Sequence, residues 1–138
     1  MHPLTKNHLK ELTYQFLGAC IEVHKQIGPG LLENVYHKCL KQELSIRGII
    51  HESNFQIPLQ YKGIDVGVDL RCDFVLEKAM IVELKAVTAL LPIHEAQLLT
   101  YMKLLEVPKG IMVNFNVTNI INEGIKTFVN EQFRELPS

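Results

Sequence analysis

The run RCDFVLEKAMIVELKAV holds Asp73, Glu83 and Lys85 in the pattern Asp-x9-Glu-x-Lys. Two carboxylates able to share a divalent cation, with an ammonium beside them, suit hydrolysis of a phosphodiester. Strand side chains alternate between faces, so Glu83 and Lys85 share one face while Val82, Leu84 and Ala86 take the other. A three-residue loop, Glu77-Lys78-Ala79, would pair Leu76 with Met80 and bring Asp73 directly opposite Glu83. Cross-strand partners lie about 5 Å apart at Cβ, within reach of one cation. A slip of one residue would send Asp73 to the other face, and no glycine in the turn fixes the register. A cation held by Asp73, Glu83 and the Leu84 backbone carbonyl would activate a water and offset charge building on the phosphate. Mg²⁺ accepts such a site, because it keeps much of its water and takes only one or two carboxylates. Lys85 would orient the attacking water or stabilise the transition state.

The surrounding pattern supplies the elements that must position these groups. Leu9, Leu12, Phe16, Ala19, Cys20, Val23 and Ile27 predict a helix over 5–27, ended by Gly28-Pro29-Gly30. A second helix is expected over about 31–47, with Leu32, Val35, Tyr36, Cys39 and Leu40 on its apolar face and Gly48 closing it. Residues 54–61 and 64–70 read as a hairpin around Lys62-Gly63, followed by the hairpin that carries Asp73 and Glu83. Pro92 begins a helix in IHEAQLLTYMKLL, Pro108-Lys109-Gly110 reads as a break, and IMVNFNV reads as a strand. Residues 120–130 fit helix and strand equally. The order predicts a mixed sheet flanked by helices, with strands near 80–86 and 111–117 at its centre.

Composition sets wider bounds. The 138 residues suit a single domain over 1–138, and 47% apolar with 21% charged residues is ordinary for a soluble fold. No apolar run approaches a membrane span, and MHPLTKNHLKEL lacks a signal-peptide layout. Cys20, Cys39 and Cys72 include no C-x-x-C pair, so free thiols in a reducing, cytoplasmic setting are expected. A net charge of −1 counts against broad electrostatic capture of nucleic acid, although bound cations would add positive charge.

A bare Glu-x-Lys is a weak signal, and other spacings add to it. Gln97-x3-Tyr101 shares one helix face, and Gly30-x-x-Glu33-x-x-Tyr36 puts Glu33 at the edge of an apolar stripe. With EVHKQIGPGLLENVY, PIHEAQLLTYMKLL and GIMVNF, the chain from about Phe16 to Phe115 resembles the GxxExxY proteins. These are small prokaryotic proteins of the PD-(D/E)XK nuclease superfamily. The resemblance implies an α/β, restriction-endonuclease-like core, a central mixed β-sheet flanked by α-helices. It implies Asp73 and Glu83 as metal ligands, Lys85 as the catalytic lysine and Glu33 as an extra acidic residue from an early helix. Gln97 and Tyr101 match the helix motif of the superfamily's RecB-like branch, and Cys72 stands where the superfamily name has proline.

The expected function is therefore Mg²⁺- or Mn²⁺-dependent hydrolysis of nucleic acid, with DNA favoured over RNA by the resemblance. The alternative is a non-catalytic nucleic-acid or protein interaction module on the same fold. A homodimer is expected, since a small nuclease has little surface to hold a duplex alone, or else a partner protein that delivers substrate. Simpler roles compete for each residue. Asp73, Glu83 and Lys85 could form a solvated strand face, Gln97 a surface amide and Tyr101 a core side chain. Glu33 could serve the helix dipole, His24 reads as a capping or packed histidine, and His37, His51 and His94 have no functional reading.

Overall fold

In helix α1 (Lys6–Ile27) the buried residues are Leu9, Leu12, Phe16, Ala19, Cys20 and Val23, the stripe its periodicity predicts. Thr5 starts it by accepting the His8 N–H at 3.0 Å, and Gly28, at φ 72°, ends it by donating to the His24 carbonyl. Helix α2 (Glu33–Ile46) buries Tyr36, Leu40 and Leu44. It begins later than its leucines suggest, because Leu32 is extended at φ −71° and ψ 150°. The computed structural model describes residues 3–67 and 69–138. Met1, His2 and Val68, the last within the strand expected over 64–70, lie outside the described residues.

The chain continues through β1 (His51–Gln56), β2 (Gln60–Tyr61), β3 (Ile64–Asp65), β4 (Arg71–Leu76) and β5 (Met80–Lys85). It closes with α3 (Pro92–Leu105), β6 (Lys109–Asn114), α4 (Ile120–Glu123), β7 (Ile125–Val129) and α5 (Glu131–Arg134). Five strands form one sheet in the order β1-β4-β5-β6-β7, mixed because β5 and β6 run parallel while the other pairs are antiparallel. Helices cover both faces. Residues of α1 and α2 pack with Phe74, Leu76, Val82, Leu84, Ile111 and Val113, and Leu98, Tyr101 and Met102 of α3 pack with Val75, Ile81 and Met112. The fold is the α/β, restriction-endonuclease-like arrangement expected, with β5 at the centre of the sheet.

Three local readings change. The hairpin expected over 54–61 and 64–70 shrinks to β2 and β3 around Lys62 and Gly63, both with positive φ. β1 pairs instead with β4, and the Ile57 N–H extends that pairing to the Leu70 carbonyl. Burial decides this: Ile57 lies in the core with Phe55 packed beside it, whereas Tyr61 and Ile64 are exposed. Lys109 and Gly110 open β6 rather than break the chain. A Cβ on Gly110 would lie 2.8 Å from the Met102 sulfur, so glycine lets α3 approach the sheet closely. Residues 120–130 divide between both options, α4 and then β7.

Candidate active site at the open end of the β4–β5 hairpin

The register follows from the turn. Glu77 and Lys78 both take left-handed conformations, at φ 50° and 55°, and the Ala79 N–H closes on the Leu76 carbonyl at 2.9 Å. Leu76 then pairs with Met80, Val75 with Ile81 and Phe74 with Val82, which carries Asp73 to the position opposite Glu83. Beyond Phe74 and Val82, side chains take over from the backbone ladder. The Asp73 N–H donates to Glu83 Oε1 at 3.1 Å, and the Leu84 N–H donates to Asp73 Oδ2 at 2.7 Å. The sequence pattern places both carboxylates flat on one face; the structure turns Asp73 into the gap between the strands. The Leu84 N–H points into that gap, and a strand residue's N–H and C=O leave by the same edge, so its carbonyl faces the gap too.

On the other edge of β4, the β1 ladder joins Ser53 to Phe74 and Phe55 to Cys72 but skips Asn54 opposite Asp73. Asn54 has φ 50°, a left-handed conformation that asparagine tolerates better than most residues. The strand order thus loosens on both sides of one aspartate. From α2, His37 Nδ1 lies 3.0 Å from Asp73 Oδ1, and its ring stacks on Phe74 with centroids 4.4 Å apart. A carboxylate only accepts, so Nδ1 carries the proton, and the buried Nε2 has no partner among the described residues.

Glu33 lies one turn before His37, and the Gly30-x-x-Glu33-x-x-Tyr36 motif explains how it is held. Gly30 has φ 93°, and buried Tyr36 donates its hydroxyl to the Gly28 carbonyl at 2.7 Å while accepting the Leu31 N–H at 3.2 Å. Tyr36 also stacks on Phe115 at 4.6 Å. The loop entering α2 is therefore pinned to the core, and Glu33 is carried to the site's rim. Although Glu33 is exposed over part of its surface, burial and the Asp73 charge push its carboxyl up, opposed by Lys85 and His37. Its place in the first turn of α2 also favours the helix dipole.

Glu83 is the most constrained group, 6% exposed and pushed up to about 8 by burial first and the Asp73 charge second. The Asp73 N–H and Lys85 pull in the opposite direction without cancelling the shift. Lys85 is half-buried and forms no ion pair among the described residues. Tyr101 is a core residue of α3 whose hydroxyl is pushed up by burial and then by Glu83 and Cys72. Gln97 stands exposed one turn earlier on that helix. Cys72 is buried with its thiol pushed up to about 12, chiefly by desolvation, which makes it an inert packing group.

The donor set fits a divalent cation. Two hard carboxylates face one gap, and burial with mutual repulsion leaves Glu83 short of positive charge. Among the described residues no three or more His, Cys, Asp or Glu side chains gather as a metal cage. Mg²⁺ needs none, since water and substrate phosphate complete its shell.

Two groups at the site escaped the sequence reading. His37 sits at i+4 from Glu33, a spacing that could have marked it. Buried Asn114, paired in register with Lys85, binds the Val87 N–H and carbonyl through its amide at 3.1 and 3.0 Å. It thereby fixes the chain where it leaves β5. Three further histidines bond to backbone: His24 Nε2 meets the Val117 carbonyl at 2.8 Å, His51 Nδ1 meets that of Ile49, and His94 Nδ1 caps the Leu91 N–H.

Asp73 on β4, the Glu83-x-Lys85 pair on its antiparallel neighbour and a flanking helix on each face form the arrangement that the nuclease resemblance implies. The chain matches the PD-(D/E)XK nuclease superfamily over residues 10–128 and belongs to it. No curated protein and no solved structure matches the chain. Among the described residues no helix is long and apolar enough to cross a membrane.

Proposed function

We propose that this protein is a divalent-metal-dependent nuclease that hydrolyses phosphodiester bonds, with DNA as the favoured substrate and RNA the alternative. The observation that carries the reading is the reciprocal brace of Asp73 and Glu83, which holds two carboxylates and the Leu84 backbone at one gap. Asp73, Glu83 and the Leu84 carbonyl would hold Mg²⁺ or Mn²⁺, with Glu33 as an added acidic ligand. When bound, the ion supplies Lewis acidity toward phosphate and lowers the pKa of water. Lys85 would orient the attacking water and stabilise charge on the phosphate oxygens. Tyr101 would support the Glu83 side of the site, and Gln97 would hold substrate at its mouth. His37 fixes the Asp73 carboxylate, as partners of metal-binding carboxylates commonly do.

The test is cleavage of labelled DNA and RNA, single- and double-stranded, with Mg²⁺ or Mn²⁺ and with chelator. Metal-dependent cleavage lost in Lys85→Ala supports the reading. Cleavage that persists in that variant would place the activity elsewhere, and oligonucleotide binding without cleavage would support an interaction module on the same fold. A homodimer is part of the proposal. Light scattering should give twice the 15.8 kDa chain mass, and a monomer at micromolar concentration would remove it.

A further inference from the structure

A recess of about 500 Å³ opens beside the site, with Glu33 and Asp73 at its acidic end. Asn34, Lys38 and Lys41 of α2 line it farther along, and Asn54 of β1 faces them. The helix residues recur at i, i+4 and i+7, so they form one stripe. Lys38 and Lys41 are exposed and, like most lysines of the chain, form no ion pair among the described residues, so their ammonium groups are open to a ligand. In a chain of net charge −1, the recess gathers two such ammonium groups beside the candidate metal ligands.

We infer that this recess is the substrate track, in which Lys38 and Lys41 bind the phosphates of the nucleic-acid strand next to the one cleaved at Asp73 and Glu83. The inference rests on the nuclease reading and adds a direction to it: the strand runs from the gap between β4 and β5 along α2. Helical rise puts Lys38 and Lys41 about 4.5 Å apart along the axis. Along a duplex axis each strand carries one phosphate per roughly 3.4 Å, a rise comparable to the lysine spacing, so two flexible lysines can reach neighbouring phosphates. Asn34 and Asn54 offer amide donors to phosphate and sugar oxygens without reading base identity. The recess is thus acidic where a cation must sit and basic where the backbone continues. Charge of this kind strengthens binding of any sequence and makes it salt-dependent.

The experiment compares wild type with Lys38→Gln/Lys41→Gln, using Lys10→Gln/Lys103→Gln as a control for two exposed lysines outside the recess. Fluorescent DNA and RNA oligonucleotides are titrated in Ca²⁺ across a salt series, and cleavage kinetics are measured in Mn²⁺. The recess variant should lower the slope of log K against log salt by about 1.4 for a single strand to 1.8 for a duplex. It should raise KM with kcat kept, and the control should change neither. Wild-type cleavage with an unchanged slope and KM in the recess variant would overturn the track and leave the nuclease reading standing. Equal loss of binding to an acidic peptide would overturn nucleic acid as the occupant. A wild type that neither binds nor cleaves any probe would overturn both.

Discussion

The two ends of the β4–β5 hairpin are built on opposite rules. Toward the turn, Phe74, Val75, Leu76, Met80, Ile81 and Val82 pair in a regular ladder and are buried on both faces. Toward the open end, Asp73 and Glu83 replace ladder bonds with side-chain bonds to each other's strand, and charged groups occupy positions that packing would give to apolar ones. The turn end supplies stability and sets register. The open end uses that register to hold two carboxylates together at an electrostatic cost, visible in the Glu83 carboxyl at about 8. One hairpin can do both because the sheet is anchored on either side by β1 and β6.

Substitutions at the two ends should separate these roles. Leu76→Ala, at a fully buried turn-end position, should cost about 2–5 kcal/mol in chemical denaturation and leave metal affinity of the folded protein unchanged. Asp73→Asn and Glu83→Gln should each lower metal-dependent cleavage by more than about 10²-fold. Their melting temperatures near pH 8 should hold or rise, because each removes one of two repelling charges. A large drop in stability in both would mean that the open end is structural.

The pH dependence sharpens the contrast. The folded state raises the Glu83 pKa from 4.5 to about 8, so the folded protein binds more protons than the unfolded chain between those values. Stability from this group is therefore present at low pH and declines as pH rises toward 8; Glu83→Gln should flatten that decline. Metal binding requires the carboxylate, so Mn²⁺ affinity should rise up to about tenfold per pH unit approaching pH 8 and then level. An affinity independent of pH from 6 to 8 would show that Glu83 is not a ligand. The smallest expected effect is at His37. His37→Gln should weaken Mn²⁺ binding by about tenfold, the lower range for a group that orients a ligand, with circular dichroism unchanged.

The parts of this picture that were legible in sequence are those governed by local rules. The stripe of α1 and the alternation around Glu83 and Lys85 follow from periods of 3.6 and 2, whereas Asp73 falls opposite Glu83 only with a 77–79 loop, a length that the glycine-free turn left open. What escaped depends on distant groups. β1 could choose β4 over β3 only once the core required Ile57, and no local pattern encodes that choice. The turn of Asp73 into the strand gap depends on the Leu84 N–H and on His37 from α2, 36 residues earlier. Residues 120–130 looked ambiguous because they contain both a helical turn and a strand, each too short to show its period.

The central claim is that the open end of the hairpin is a preformed cation site. Calorimetric titration of Mn²⁺ into wild type and Glu83→Gln at pH 8, with and without a short DNA, tests it most directly. Binding by wild type that Glu83→Gln loses is the predicted result. Absence of binding in both proteins, even with DNA present, would contradict it.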